Sequence, residues 1–157
     1  MKTFSDRGRN GVRLTPRQTT IGSIAARPFP TPLPRARTTA FQRQTWEVVA
    51  QVVEYRLVGN ELRLILFDHG DYMNAVIPAP ACLSAATRGR IAIVQAWQRF
   101  GERCGRVTRS WQSQGAVVFI RGVGFWSSRF ITRRGAAANG AELHPVTGFR
   151  AVAGCGG

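Results

Sequence analysis

Two carboxylates and one imidazole stand within four residues in the stretch DHGD, residues 68–71. Asp68, His69 and Asp71 could bind a metal ion or transfer protons if further groups, such as His144, converged on them. The spacing matches no metal-binding rule, and Asp and Gly are the residues expected in a hairpin turn. We therefore predict a turn here, with no catalytic residue, no metal site and no cofactor. A hydrolytic enzyme is the least favoured hypothesis.

Arginines and aromatic residues are interleaved between residues 121 and 134. Proteins that bind single-stranded nucleic acid stack bases on aromatic rings and bind phosphates with guanidinium groups. Strand alternation puts Phe125 opposite Trp126, so one of these two rings is expected in the core. The predicted binding residues are Arg121, Trp126, Arg129, Phe130, Arg133 and Arg134. Three further aromatic candidates, for which core packing is an equally good explanation, are Trp46, Tyr55 and Trp111.

The chain carries a large excess of positive charge, with 22 basic residues, 8 acidic residues and a net charge of +14. Nine of the basic residues and only one of the acidic residues fall within residues 1–45. Such a field attracts polyanions, including nucleic acid and anionic lipid. All basic residues except Lys2 are arginine, which a GC-rich coding bias would also produce.

The elements that must position these residues are mainly β-strands. Three strands joined by short turns are predicted between residues 46 and 80, where Leu62, Leu64 and Leu66 alternate on one face. One helix is predicted over about residues 84–104, because apolar residues recur there at helical spacing. Two further strands follow the helix, so the predicted order is β-β-β-α-β-β.

Two architectures suit this order: a five-stranded OB-like barrel, or an open sheet with one covering helix. We favour the barrel, because Gly122 and Gly124 supply the kinks that a closing strand needs. Asn139-Gly140 is expected to form a tight turn into the last strand. Beyond it, Glu142 and His144 share one face of that strand and could form a polar pair.

The chain is divided into three regions. Residues 1–44 are predicted to be a disordered arm rich in Arg and Pro, because the prolines alternate in PFPTPLP. This arm either follows phosphate groups or is a dispensable leader. Residues 45–152 are predicted to form the OB-like domain, and residues 153–157 a flexible tail.

The cysteines and the hydropathy bear on the compartment. Cys82, Cys104 and Cys155 form no C-x-x-C pair, and Cys82 and Cys104 could form a disulfide in an oxidising compartment. Cys155 is expected to be too mobile to matter for folding. No stretch approaches the length of a transmembrane span, and no signal peptide is recognised, so we predict a cytoplasmic protein as the chain is written. A different start codon would allow an exported or periplasmic protein.

Three blocks carry a resemblance over roughly residues 46–150: FDHGDYMNAVIPAPACL, VFIRGVGFW and NGAELHPV. They resemble a group of small, uncharacterised bacterial proteins with a GVGFF strand and a C-terminal NGxELHPV signature. The resemblance implies an OB-like domain and, since members often carry export signals, an exported protein; it implies no activity. The chain departs from the group in WSSRFITRRG, where the group has an acid and a loop similar to HGQTG.

The leading hypothesis is a non-enzymatic domain that binds single-stranded nucleic acid or another polyanion through the 121–134 strand and loop, helped by the basic arm. The alternative is an exported bacterial envelope protein of unknown ligand, whose charge reflects codon bias. The oligomeric state does not follow from the sequence.

Overall fold

The protein is represented by a computed structural model that describes residues 1–128 and 132–155, and these residues contain six strands and two helices. The strands are β1 (Arg13–Gln18), β2 (Gln44–Val58), β3 (Glu61–Asp68), β4 (Asp71–Pro78), β5 (Gln112–Trp126) and β6 (Ala141–Ala153). The helices are α1 (Ile21–Ala25) and α2 (Arg90–Cys104). Among the described residues, short 3-10 turns cover Arg7–Gly11, Phe41–Arg43 and Pro80–Cys82. The prediction of a mainly β fold is confirmed.

All six strands belong to one sheet with the order β1-β2-β3-β4-β6-β5, and β2 also pairs with β5. The turns that join β2 to β3 and β3 to β4 contain two residues each, Gly59-Asn60 and His69-Gly70. His69 and Gly70 both have positive φ, as in a type I′ hairpin turn. The stretch DHGD is therefore the predicted turn.

The predicted strand count and element order need correction. The sheet has six strands rather than five, and the order begins with β1 and α1 before the predicted β-β-β-α-β-β series. β1 pairs in parallel with the first residues of β2, from Gln44 to Glu47. Its register shifts between Arg13 and Arg17, around Pro16, which is compatible with Pro on an edge strand.

The structure also corrects the prediction of a disordered arm over residues 1–44. Ile21 and Ile24 of α1 are fully buried in the main core, and Phe4 and Val12 pack on Val123 of β5. These apolar residues are too few and too irregularly spaced to form a sequence pattern, but burial of each stabilises the segment by about 1.5–3 kcal/mol.

A buried arginine, Arg37, links the first residues of this segment to the turn before β2, where it donates to the Gln42 carbonyl at 3.3 Å. The guanidinium of Arg37 donates to Asp6 Oδ1 at 3.2 Å and to the Met1 carbonyl at 2.8 Å. Burial lowers the pKa of Arg37, and Asp6 opposes that shift. Residues 1–44 therefore pack on the domain, and the predicted boundary at residue 44 lies inside its hydrogen-bond network.

Helix α2 covers the core through Ile93, Ala96, Phe100 and Cys104. The Phe100 ring contacts Tyr55 of β2 and Phe149 of β6, with ring centroids 4.8 and 5.4 Å apart. The helix begins at Arg90, later than predicted, because Gly89 has a left-handed backbone. None of the helices in residues 1–128 and 132–155 has the length and hydropathy that a membrane span requires.

The cysteines do not form the Cys82–Cys104 disulfide that the sequence allowed as one alternative. Cys104 at the end of α2 forms a disulfide with Cys155, and Cys82 is exposed as a free thiol. Because β6 runs to Ala153, it carries Cys155 to the end of α2, and the predicted mobility of this cysteine is wrong. Gly156 and Gly157, the rest of the predicted tail, lie outside the described residues.

Candidate functional site

The predicted binding patch is divided by the structure, beginning with Trp126. This ring is 4% exposed and packs against Phe41, with centroids 4.8 Å apart. Its Nε1 donates to Thr39 Oγ1 at 3.1 Å. Phe125, on the opposite face of β5, is also buried. Trp126 is therefore a core residue that offers no face to a stacking base, and this part of the site prediction is corrected.

The predicted arginines do not lie together either. Arg121 extends from the outer face of β5 and pairs with Glu47 of β2. It borders a narrow cleft with Phe119 and Arg150, away from Arg133 and Arg134. Arg129 and Phe130 lie outside the described residues.

Arg133 and Arg134 instead meet a second set of residues around Trp111. The guanidinium carbon of Arg56 lies 4.5 Å from the Trp111 ring centroid, and that of Arg134 lies 5.4 Å from it. The cleft measures about 290 Å³. We call it the Trp111 cleft, and its charged and aromatic lining residues are Arg56, Arg63, Trp111, Arg133 and Arg134.

Tyr72 extends the same surface along β4. The residue is 46% exposed, and its ring contacts Phe67 of β3. The shallow depression beside it, about 390 Å³, shares Arg134 with the Trp111 cleft. Two aromatic side chains, the partly buried Trp111 and the exposed Tyr72, therefore flank Arg134.

Four separate parts of the chain position this site. Arg56 follows an irregularity in β2 between Val52 and Glu54, and Arg63 comes from β3. Trp111 directly precedes β5, and residues 133–134 belong to the connection between β5 and β6.

Asn74 of β4 holds the connection in place. Its Nδ2 donates to the carbonyl of Arg134 at 3.0 Å and to that of Gly135 at 2.6 Å. Its Oδ1 accepts from Arg63 Nη1 at 2.9 Å. One buried amide thus fixes both the backbone of the connection and a guanidinium in the floor of the cleft.

A buried carboxylate forms the centre of the charge network beneath the cleft. Glu142 is 2% exposed and accepts from Arg133 Nη1 at 2.6 Å. Its other oxygen lies 3.1 Å from His144 Nδ1, so the predicted polar pair of Glu142 and His144 is confirmed. Burial opposes ionisation of Glu142, but His144, Arg133 and Arg63 outweigh it and lower the pKa of this carboxyl.

Glu61 extends the network toward the surface. Its Oε1 lies 3.4 Å from His144 Nε2, and its Oε2 lies 3.8 Å from Arg63. Burial opposes its ionisation, but His144 with Lys2 and Arg63 lowers the pKa of Glu61 to about 2. Near the rim, Arg134 pairs with Glu54 at 2.7 Å while its side chain stays 59% exposed. The carboxylates orient the guanidinium groups from beneath the cleft. The side chain of Arg134 at the rim is more exposed than those of Arg63 and Arg133.

The acidic turn forms no second site. The side chain of His69 is 94% exposed and its Nδ1 lies 2.5 Å from Asp68 Oδ1, whereas His144 is completely buried. The two histidines therefore occupy different environments. They do not converge on one site, as the hydrolase hypothesis requires. Residues 1–128 and 132–155 contain no group of three or more His, Cys, Asp or Glu side chains arranged to hold a metal ion.

Comparisons with known proteins identify a similar fold and no family. No family model matches the chain, and no curated protein sequence matches it. Among solved structures, it is similar to a protein from Leishmania major Friedlin assigned as an aspartyl-tRNA synthetase, with a TM-score of 0.54 and 15% identity. That match covers 91% of this chain and 22% of the other.

Asparaginyl-tRNA synthetase from Pyrococcus horikoshii, in complex with asparaginyl-adenylate, gives a TM-score of 0.43 and 16% identity over 71% of this chain and 19% of the other. The chain spans less than a quarter of the length of each of these proteins. The similarity to the Leishmania major protein is a similarity of fold.

Several residues of the Trp111 cleft were missed from the sequence. Arg63 lies between the core residues Leu62 and Leu64, so strand alternation was a signal that it faces outward. Trp111 was a candidate, but nothing in its neighbourhood distinguished a surface ring from a core ring. Arg56 follows a strand irregularity that reverses the alternation, and no sequence pattern marked it.

Proposed function

We propose that this protein is a non-enzymatic OB-type domain that binds single-stranded nucleic acid across the Trp111 cleft and the adjoining Tyr72 ring. The strand pairings support an OB-type fold. In the series β2, β3, β4, β6, β5, each strand pairs with the next, and β5 pairs with β2. OB folds bind oligonucleotides on the face of their second and third strands, between the first and fourth connections. Counted from β2 as the first strand, those strands are β3 and β4. The fourth connection then joins β5 to β6, and it carries Arg133 and Arg134.

The observation that carries the proposal is the convergence of arginines on a partly exposed ring, that of Trp111. Arg56 and Arg134 both lie against Trp111, and Arg63 and Arg133 complete the cleft. Rings stack with any base, and guanidinium forks bind phosphates, so this combination suits a single strand without requiring a particular sequence. RNA is the first strand to test, because the solved structure with a similar fold is assigned to a tRNA synthetase.

The proposal is tested by fluorescence anisotropy with a labelled single-stranded RNA of about 12 nucleotides, a length within the usual range of site sizes. Trp111→Ala is expected to weaken binding by about 5- to 150-fold, because stacking on one ring contributes about 1–3 kcal/mol. Trp111→Phe should retain most of the affinity. Trp97→Ala is the matched control, because Trp97 is a partly buried tryptophan on α2 that does not line the cleft. Equal affinities of wild type and Trp111→Ala would reject the proposal.

One observation favours the second candidate, an exported bacterial envelope protein of unknown ligand. Disulfides persist mainly in oxidising compartments, and Cys104 is paired with Cys155. Thiol counting on protein isolated from its native compartment tests this candidate. One reactive thiol, that of Cys82, is expected for the exported protein, and three for a protein kept reduced in the cytoplasm.

A further inference from the structure

A second arginine cluster lies in the N-terminal segment, where it surrounds a cleft of about 640 Å³. Arg13 and Arg17 come from β1, Arg27 follows α1, and Arg43 lies in the turn before β2. Trp46 of β2 forms the floor. We call this the N-terminal cleft; it contains none of the residues of the Trp111 cleft.

The two clefts differ in their electrostatics. Three carboxylates pair with the arginines of the Trp111 cleft, but no carboxylate lines the N-terminal cleft. Within residues 1–128 and 132–155, none of its four guanidiniums forms an ion pair. Four like charges around one depression repel one another, and a bound anion would relieve that repulsion.

Arg27 is held in place without using its hydrogen-bond donors. Its guanidinium carbon lies 4.6 Å from the Trp46 ring centroid and 5.7 Å from that of Phe41. Its Nε is buried and, in the part of the chain that the structure describes, has no hydrogen-bond partner. Cation–π contacts therefore orient this guanidinium while its donors remain unused.

The ring in the floor is not accessible for stacking. Trp46 is 4% exposed, with Arg27 over the ring and Arg17 at 5.9 Å from its centroid. Its Nε1 donates to the carbonyl of Phe41 at 3.0 Å. A base has no ring to stack on here, so the donors suit phosphate groups and not nucleobases.

We propose that the N-terminal cleft is a binding site for linked phosphate groups, which bridge Arg13 and Arg17 of β1 to Arg27 and Arg43. Guanidinium and phosphate match in geometry and charge, and a chain of phosphates places one anion beside each of several arginines. The linked phosphates belong either to a nucleic-acid backbone or to a free polyphosphate. This site does not depend on the function proposed for the Trp111 cleft.

The test is isothermal titration of the full chain with inorganic tripolyphosphate at low salt. The variant Arg13→Gln/Arg17→Gln is expected to bind roughly tenfold more weakly, because two charge-assisted contacts are lost. Arg90→Gln/Arg109→Gln removes the same charge from exposed residues outside the cleft and should leave the affinity within about twofold, since surface charges act weakly at a distance. Arg13 and Arg17 are exposed, so circular dichroism should show folded protein in every case.

Failure of wild-type protein to bind tripolyphosphate, or equal weakening in the two double variants, would overturn the proposal. Arg17→Glu alone provides a second variant, which should bind more weakly than wild type by a larger factor than Arg17→Gln. Trp111→Ala should bind tripolyphosphate with the affinity of wild type, because Trp111 does not line the N-terminal cleft. The two proposed sites can therefore be tested independently.

A competition experiment identifies the source of the phosphates. Displacement of tripolyphosphate by an abasic oligonucleotide would support the site with a nucleic-acid backbone as its ligand. Binding of tripolyphosphate that the abasic strand does not displace would support it with free polyphosphate as the ligand.

Discussion

Glu142 organises the Trp111 cleft at the level of single residues. Its buried carboxylate accepts from Arg133, lies 3.7 Å from Arg63 and pairs with His144. The pairing with His144 follows from two residues on one face of a strand and could be predicted. The two arginines reach Glu142 from other elements, so the sequence spacing held no information about them.

The depressed pKa values of Glu61 and Glu142 predict a loss of stability in acid. Both carboxylates ionise more readily in the folded chain, so their contribution is present above pH 4.5, the unperturbed value, and is lost as pH falls below it. For Glu61 this loss extends toward its folded-state pKa of about 2. For Glu61, whose side chain is 26% exposed, we expect about 1–2 kcal/mol after allowing for screening. The midpoint of thermal unfolding should fall by a few degrees across this range.

Thermal unfolding of wild type and Glu61→Gln between about pH 2 and pH 6 checks this, because the window spans both protonation states. The variant should be less stable at pH 6 and should lose part of the pH dependence below pH 4.5. Glu102→Gln, an exposed position on α2, should keep the wild-type profile. An unchanged profile in Glu61→Gln would show that the network does not stabilise the fold.

At the scale of elements, the strands that pair along the sequence were the predictable part. The two hairpins of β2, β3 and β4 follow from alternation and from turn residues at Gly59-Asn60 and His69-Gly70. β1 and α1 were missed, because parallel pairing with Gln44–Glu47 and burial of isolated apolar residues leave no local pattern.

Gly124 of β5 illustrates a role that only the structure reveals. A Cβ at this position would lie 2.8 Å from the carbonyl carbon of Phe41 and closer still to its oxygen. Because backbone atoms cannot move aside as a flexible side chain can, Gly124→Ala should force β5 away from the turn before β2. The glycine was expected to supply a kink, and its contact with Phe41 gives a second reason for it.

We predict that Gly124→Ala destabilises the protein by about 2–3 kcal/mol, the upper part of the range for overpacking a well-packed site. Gly115→Ala in the same strand is the control, since its nearest neighbour would be the Gln51 side-chain amide at 3.7 Å, an ordinary contact. That change should stay within about 1 kcal/mol of wild type. Urea denaturation measures both, and equal stabilities would contradict the close approach of Phe41.

At the scale of the whole molecule, composition predicts a polyanionic partner but not where that partner would bind. A net charge of +14 indicates a polyanion, and the structure divides its arginines among separate surfaces. The predicted patch treated residues 121–134 as one surface. It failed because β5 turns Trp126 into the core while the following connection carries Arg133 and Arg134 across to β3. Long-range strand pairing, which sequence spacing does not encode, decides which arginines meet.

The salt dependence of single-stranded RNA binding tests the central claim most directly. If the four arginines of the Trp111 cleft bind phosphates, the logarithm of the association constant should fall with that of the salt concentration, with a slope of about −2 to −3. Arg56→Gln/Arg134→Gln should reduce that slope by about 1.4, while Arg90→Gln/Arg109→Gln changes it little. A flat dependence, or no binding even at low salt, would contradict the proposed function.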